Sequence, residues 1–247
     1  MLKVTFTPAE FEALARTDLS QTTCVVFDIL RATSTMVTAL ANGAERIRPV
    51  ATIQEALEQK AGHPEALLCG ERLGRRITAE QTKGTDFDLG NSPREYTAEI
   101  VTGKSLITTT TNGTRALRAC LGAQEVLVSS FLNLQATIDQ LRNNHPKQLV
   151  LVCGGTHEEA AFEDALAAGA IADAVWDLFT ERTTEDSAQI SRSLWQAHRD
   201  SLNDSIQRAL NARRLLAVPE LAADVDCCLQ MNTIDQVVRL DPKGWVR

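Results

Sequence analysis

The amino-acid sequence predicts an α/β fold: a largely parallel sheet covered by helices on both faces, followed by a helical C-terminal third. Two observations carry this expectation. Short apolar, β-branched runs alternate with helix-length segments, the pattern of βαβ units. The runs at 23–27, 105–110 and 148–153 are apolar or β-branched at successive positions, as strands buried on both faces must be. A third observation sets the end of the fold. From about 185 to 216 the chain reads as one long, charged amphipathic helix.

The elements follow in order. Strands are expected at 2–5, 23–27, 46–49, 66–69, 105–110, 125–129, 148–153 and 237–240. Helices are expected near 34–42, 53–61, 93–101, 114–121, 133–143 and 157–181, with Gly43, Gly62, Gly103 and Gly122 where helix C-caps belong. Leu194, His198, Leu202, Ile206, Leu210 and Leu215 form an apolar stripe at helical spacing, suited either to packing on the core or to a homo-oligomer interface. No Pro/Gly/Ser-rich linker and no internal repeat divides the chain, so a single domain over 1–247 is the simplest organisation, its helical part at about 185–230.

Composition excludes several classes. The 247 residues include 32 Asp and Glu against 25 Lys and Arg, a formal charge of −7, and 44% are hydrophobic. That is ordinary globular composition, and its acidic balance argues against general nucleic-acid binding. No export signal and no stretch of 18 apolar residues is present, and the six cysteines are scattered, so a cytoplasmic chain with reduced thiols is expected. The charge is uneven. Residues 1–153 hold 16 acidic and 16 basic side chains, whereas 154–247 hold 16 acidic and 9 basic and carry all of the excess.

Ligands of open α/β sheets bind outside the carboxyl ends of the strands. Several such ends are rich in polar residues: Asp28, Arg31, Thr33, Ser34 and Thr35 after 23–27; Glu71 and Arg72 after 66–69; Thr108–Thr111, Asn112, Gly113, Thr114 and Arg115 after 105–110; Ser129, Ser130 and Asn133 after 125–129. Cys153-Gly154-Gly155-Thr156 leads toward Glu163 and Asp164, and a loop carries Asn91 and Ser92. Each segment alone also fits a cap, a turn or a solvated helix face. Their sum points to a small anion, since Arg and free backbone N–H groups suit phosphate or sulfonate oxygens. Carboxylates beside such a ligand call for a cation, and Mg²⁺ takes one or two carboxylates together with phosphate and water. Adjacent acids on a helix point about 100° apart, so only one of Glu163 and Asp164 should aim at a given ion.

Competing signatures fail. A C-x5-R pattern runs from Cys69 to Arg75, but Glu71 inside it would oppose both a thiolate and a phosphate. An Asp-x-Asp pattern fails at Leu30, and Walker A, G-x-G-x-x-G and H-E-x-x-H are absent.

Taken in order, Phe27-Asp28-Ile29-Leu30-Arg31-Ala32-Thr33-Ser34-Thr35, Gly70-Glu71-Arg72, Phe87-Asp88-Leu89-Gly90-Asn91-Ser92-Pro93, Thr109–Arg115, Ser130–Asn133 and Glu163-Asp164 resemble the 2-phosphosulfolactate phosphatases. The resemblance covers about residues 24 to 170 and becomes diffuse beyond 185, where Leu221–Cys228 is its best remnant. It implies a three-layer α/β/α fold with a mixed sheet and a Mg²⁺-dependent phosphatase releasing 3-sulfolactate from 2-phospho-3-sulfolactate, a step toward coenzyme M. It also implies a small anionic substrate as partner. By matched motif, Asp28, Arg31, Glu163 and Asp164 become catalytic candidates, and Asp28, Glu71, Glu163 and Asp164 metal ligands. Thr33, Ser34, Arg72, Asn91, Ser92, Asn112, Gly113, Thr114, Arg115, Ser130 and Asn133 become substrate contacts. The stretch 73–85 is several residues longer than the family pattern, which leaves open which of Arg72, Arg75 and Arg76 faces the ligand. A phosphatase for another phospho-hydroxyacid and a non-catalytic anion-binding protein of the same fold are the rival expectations.

Overall fold

A computed structural model describes residues 1–247. Strands β1 (Leu2–Thr5), β2 (Thr22–Phe27), β3 (Arg46–Pro49), β4 (Leu67–Arg72), β5 (Arg75–Arg76), β6 (Ser105–Thr109), β7 (Glu125–Val128), β8 (Gln148–Cys153) and β9 (Val238–Arg239) divide between two mixed sheets rather than one. The first has the order β1-β8-β2-β7-β9, parallel except for β9; the second has the order β3-β6-β4-β5, parallel except for β5.

Helices flank both sheets: α1 (Pro8–Leu14), α2 (Ala32–Ala41), α3 (Ile53–Gly62), α4 (Ala79–Thr82), α5 (Ala98–Val101), α6 (Gly113–Ala119), α7 (Leu134–Asn144) and α8 (Phe162–Ala174). The C-terminal part adds α9 (Asp186–His198), α10 (Leu202–Gln207), α11 (Leu210–Leu216) and α12 (Pro219–Cys228).

The alternation of side chains explains the layering. Val25, Phe27, Leu149 and Leu151 face the largest apolar cluster, shared with α7, α8 and the C-terminal helices. Their neighbours Cys24, Val26, Val150 and Val152 face a second cluster with α2 and α6. Successive residues of one strand point to opposite faces, so both faces of the first sheet are buried, as the apolar runs require. The fold is therefore α/β, with mostly parallel strands between helical layers.

Three segments differ from the sequence pattern. The expected helix 185–216 is broken, because a 3₁₀ turn at Arg199–Ser201 redirects the chain and brings Leu202, Ile206 and Leu215 onto the large core. Leu210 then falls outside that core and is exposed. The helix expected at 157–181 shrinks to α8, because Thr156 and Glu159 pair in a tight turn with His157 left-handed at φ 56°. The helix expected at 93–101 becomes a 3₁₀ turn and the short α5, held apart by buried Tyr96, whose hydroxyl donates to the Gly90 carbonyl. Helix α1 lies outside the expected elements although it has a signature: Thr7 stands at the N-cap, Pro8 at the first position, and Glu10 accepts the Thr7 N–H at 2.9 Å.

Register places the site. Val26 lies opposite both Val152 and Val128, so β2, β7 and β8 end level and Asp28, Ser129 and Gly154 follow side by side. In the second sheet Gly70 lies opposite Thr109, which sets Glu71 beside the Thr110–Asn112 turn.

Candidate active site

These strand ends surround a cavity of about 430 Å³. Of the residues singled out in the sequence, Asp28, Arg31, Glu71, Asn91 and Asn112 line it. So do Thr110, Thr111, Gly155 and Thr156 from the same turns. The Leu30–Arg31 peptide at its edge is cis.

Asp28 sits in a slot that only glycines permit. A Cβ on Gly113 would lie 2.7 Å from Asp28 Oδ2 and 2.6 Å from the Ala32 Cβ, and one on Gly154 would lie 3.2 Å from the Asp28 Cβ. The Ala32 N–H donates to Asp28 Oδ1 at 3.2 Å. Burial pushes the Asp28 carboxyl up to about 6, with Glu71 adding to the shift.

Glu163 and Asp164 begin α8 and are both buried. Asp164 is fully engaged: the Ile29 N–H donates to Oδ1 at 2.8 Å and the Gly155 N–H to Oδ2 at 3.0 Å. It thereby ties the ends of β2 and β8 together. Glu163 is different, since its Oε2 is buried without a hydrogen-bond partner. Burial, with Asp28 adding, raises the Glu163 carboxyl to about 7; burial, then Asp28 and Glu163, hold Asp164 well above the carboxylate range. Three acids thus crowd one buried region, the arrangement in which functional carboxylates are found.

Glu71 is satisfied by its own surroundings. Its Oε1 accepts from the Thr111 N–H and hydroxyl, both at 2.9 Å, and its Oε2 accepts from the Gly74 N–H at 2.8 Å. It organises the cavity rim. Asn112 donates to the carbonyls of Gly154 and His157 at 3.1 and 2.8 Å, leaving its buried Oδ1 unpartnered.

Several other candidates lie outside the cavity and hold the scaffold. Thr33 Oγ1 bonds the Asp28 backbone at 3.0 Å, and Ser34 Oγ donates to the Ile29 carbonyl at 2.8 Å, so both hydroxyls close the β2–α2 loop. Thr114 Oγ1 donates to the Thr110 carbonyl, closing the β6–α6 turn that Gly113 starts. Ser130 and Asn133 form a capping box, and Asn133 Nδ2 donates to the carbonyls of Val128 and Gln236. Ser92 donates to Asp224 at 2.6 Å. Arg72 donates to the Glu71 carbonyl and to Thr109, and Arg115 lies between Glu12 and Glu158 on the surface. Except for Ser130, whose buried hydroxyl has no hydrogen-bond partner, a nearby protein group engages each side chain that sequence alone leaves free.

The rest of the lining comes from segments to which the sequence assigns no site residue. Asn211, Arg214, Leu215, Val218 and Leu221 reach the cavity from the C-terminal helices, and His157 and Leu73 from loops. The apolar members follow the helical stripe, but nothing in the sequence says which turn of it meets β2. Asp224, fully buried against Arg31, was equally silent.

Cys69 is buried and its thiol is pushed far up by burial, so the C-x5-R pattern does not furnish a thiolate nucleophile. No group of three or more His, Cys, Asp or Glu side chains comes together to hold a metal ion. A Mg²⁺ site needs fewer, since one or two carboxylates suffice beside phosphate and water. Asp28 and the unpartnered oxygen of Glu163 fit that smaller donor set; Asp164 and Glu71, with both oxygens engaged, fit it poorly.

A cavity lined by Asp28 and Glu71 at the strand ends of an α/β fold is where such folds bind small polar ligands. Comparison with known families defines the class further. The model of the 2-phosphosulpholactate phosphatase family matches residues 9–243. A protein of Pseudothermotoga lettingae named probable 2-phosphosulfolactate phosphatase is 44% identical over 213 residues, covering 86% of each chain. One of Caldanaerobacter subterraneus with the same name is 38% identical over 232 residues, covering 93% of this chain and 92% of its own. The chain belongs to the 2-phosphosulfolactate phosphatase family and is thus a phosphoric monoester hydrolase. No helix is long and apolar enough to cross a membrane.

Proposed function

We propose that this protein hydrolyses 2-phospho-3-sulfolactate to 3-sulfolactate and phosphate, in the cytoplasm and with Mg²⁺, as a step toward coenzyme M. The observation that carries the reading is Asp28, held between Gly113 and Gly154 on the cavity floor with Glu163 and Asp164 packed near it. The name that the relatives share supports the substrate.

Asp28 and Glu163 would hold the Mg²⁺, which when bound supplies positive charge to the phosphoryl oxygens. The chain's own groups do the rest. Asp28 is the carboxylate that reaches the cavity from the end of β2. It can take the proton of an attacking water or attack phosphorus itself. Arg31, fixed at the cavity edge by Asp224 and the Gly74 carbonyl, shapes the wall beside the phosphoryl group, its charge being balanced by Asp224. The closed turns at Thr33, Thr114 and Asp164 keep these atoms in place before the substrate arrives.

Phosphate release from 2-phospho-3-sulfolactate, followed with and without EDTA and in Asp28→Asn, tests the reading. Loss of activity in both is expected, and full activity in both would overturn it. A single turnover in H₂¹⁸O separates the two routes, because label appearing first in Asp28 means an acyl phosphate.

A further inference from the structure

The arginines that the sequence suggests for anion binding are already occupied. Arg31 places Nη1 at 2.6 Å from Asp224 and Nη2 at 2.8 Å from the Gly74 carbonyl, so its charge is balanced within the protein. Arg72 spends its donors on Glu71 and Thr109 backbone and hydroxyl oxygens. Arg115 bridges Glu12 and Glu158. Asp28 and Glu71 meanwhile bring negative charge to the cavity. A Mg²⁺ held there would serve the phosphate, and a further anionic group on the substrate would still need a cation of its own.

One lining cation is not committed. Arg214, on α11, lines the cavity, is exposed, and takes part in none of the ion pairs or side-chain hydrogen bonds that hold the other cavity arginine. Its neighbours on that wall, Leu215 and Val218, are apolar and offer it no carboxylate. A guanidinium so placed presents its donors in a planar fork that suits a sulfonate or carboxylate.

We infer that Arg214 is a specificity-determining residue that receives the second anionic group of the substrate, the one that is not the phosphate. The inference rests on the phosphatase reading above and deepens it. The C-terminal helices then do more than cover the core, since they carry the group that tells a doubly anionic ester from a simple one.

The experiment compares Arg214→Ala with the unsubstituted protein on 2-phospho-3-sulfolactate, O-phosphoisethionate (sulfonate only), phospholactate (carboxylate only) and ethyl phosphate (neither). The exposed site and good helix propensity of Ala favour a folded variant. The kcat/KM for 2-phospho-3-sulfolactate is expected to fall about tenfold more than that for ethyl phosphate, the scale of one charged hydrogen-bonded contact. A matching loss on phosphoisethionate assigns the sulfonate, and one on phospholactate the carboxylate; an equal loss on ethyl phosphate overturns the assignment. Calorimetric titration with 3-sulfolactate needs no turnover. Weaker binding by Arg214→Ala supports the site even if no ester is hydrolysed, in which case only the phosphatase reading falls. Equal binding by both proteins, or none by either, overturns the site even if hydrolysis is rapid.

Discussion

Arg31 Nη1 lies 2.6 Å from Asp224 Oδ2, joining residues 193 positions apart, and both side chains are buried. Asp224 Oδ1 also accepts from Ser92 Oγ at 2.6 Å and from Arg94 at 3.3 Å. Helix α12 is thereby clamped to the loop after β2. Removing one member of a buried pair strands the other charge, which costs about 3–5 kcal/mol. Asp224→Ala should lose stability on that scale in urea unfolding, and Asp224→Asn less, because it keeps the acceptor for Ser92. A change within about 1 kcal/mol for Asp224→Ala would show that water reaches Arg31.

Gly113→Ala tests the slot around Asp28. The added methyl would stand 2.6 Å from the Ala32 Cβ and 2.7 Å from Asp28 Oδ2, both under normal contact. Overpacking of this kind costs about 1–3 kcal/mol, and here it displaces the carboxylate itself. The expected outcome is a fall in kcat of at least about tenfold with a smaller change in KM, the signature of a misplaced reacting group. Unchanged kcat would mean that Asp28 is free to move without consequence.

The two steps by which chain becomes site differ in how far sequence reveals them. Apolar runs at β2, β6 and β8 declare buried parallel strands, because burial on two faces calls for apolar or β-branched residues at successive positions. The division into two sheets is not written locally, since it depends on which strand edges meet. The same limit applies to function. Asp28, Glu71 and Asn112 lie at or within three residues of strand ends, so a strand-end rule finds them. Arg214 meets the cavity, and Asp224 meets Arg31, only through the packing of α11 and α12, and the amphipathic pattern there does not say which face turns to the strand ends. Conversely, Thr114, Asn133 and Arg115 look available in sequence and are satisfied by nearby protein groups.

Buried carboxylates make stability fall as pH rises. Asp28 moves from its ordinary 3.8 to about 6 and Glu163 from 4.5 to about 7, so between those values the folded chain binds more protons than the unfolded one. Stability contributed by their neutral forms is full below about pH 4 and is lost as pH climbs through 6 and 7. With EDTA present, the urea midpoint should drop from pH 5 to pH 8. Glu163→Gln, which cannot ionise, should narrow that drop. Mg²⁺ added at pH 8 should restore stability to the unsubstituted protein far more than to Glu163→Gln. A midpoint that rises across this range would contradict the burial of charge.

Asn133 provides a control in which structure and sequence point apart. Its Oδ1 accepts from the Ser130 N–H at 2.9 Å, and its Nδ2 donates to the Val128 and Gln236 carbonyls at 3.2 and 3.1 Å. The residue thus joins the end of β7 to the chain entering β9. Asn133→Ala leaves a buried N–H and two carbonyls short of partners, each a loss of about 1–3 kcal/mol when unrelieved. The melting temperature should fall clearly, while KM at a temperature well below the transition should stay within about twofold, since no atom of Asn133 lines the cavity. A large KM increase in a fully folded variant would instead make Asn133 a substrate contact and would require the β7 loop to turn inward on binding.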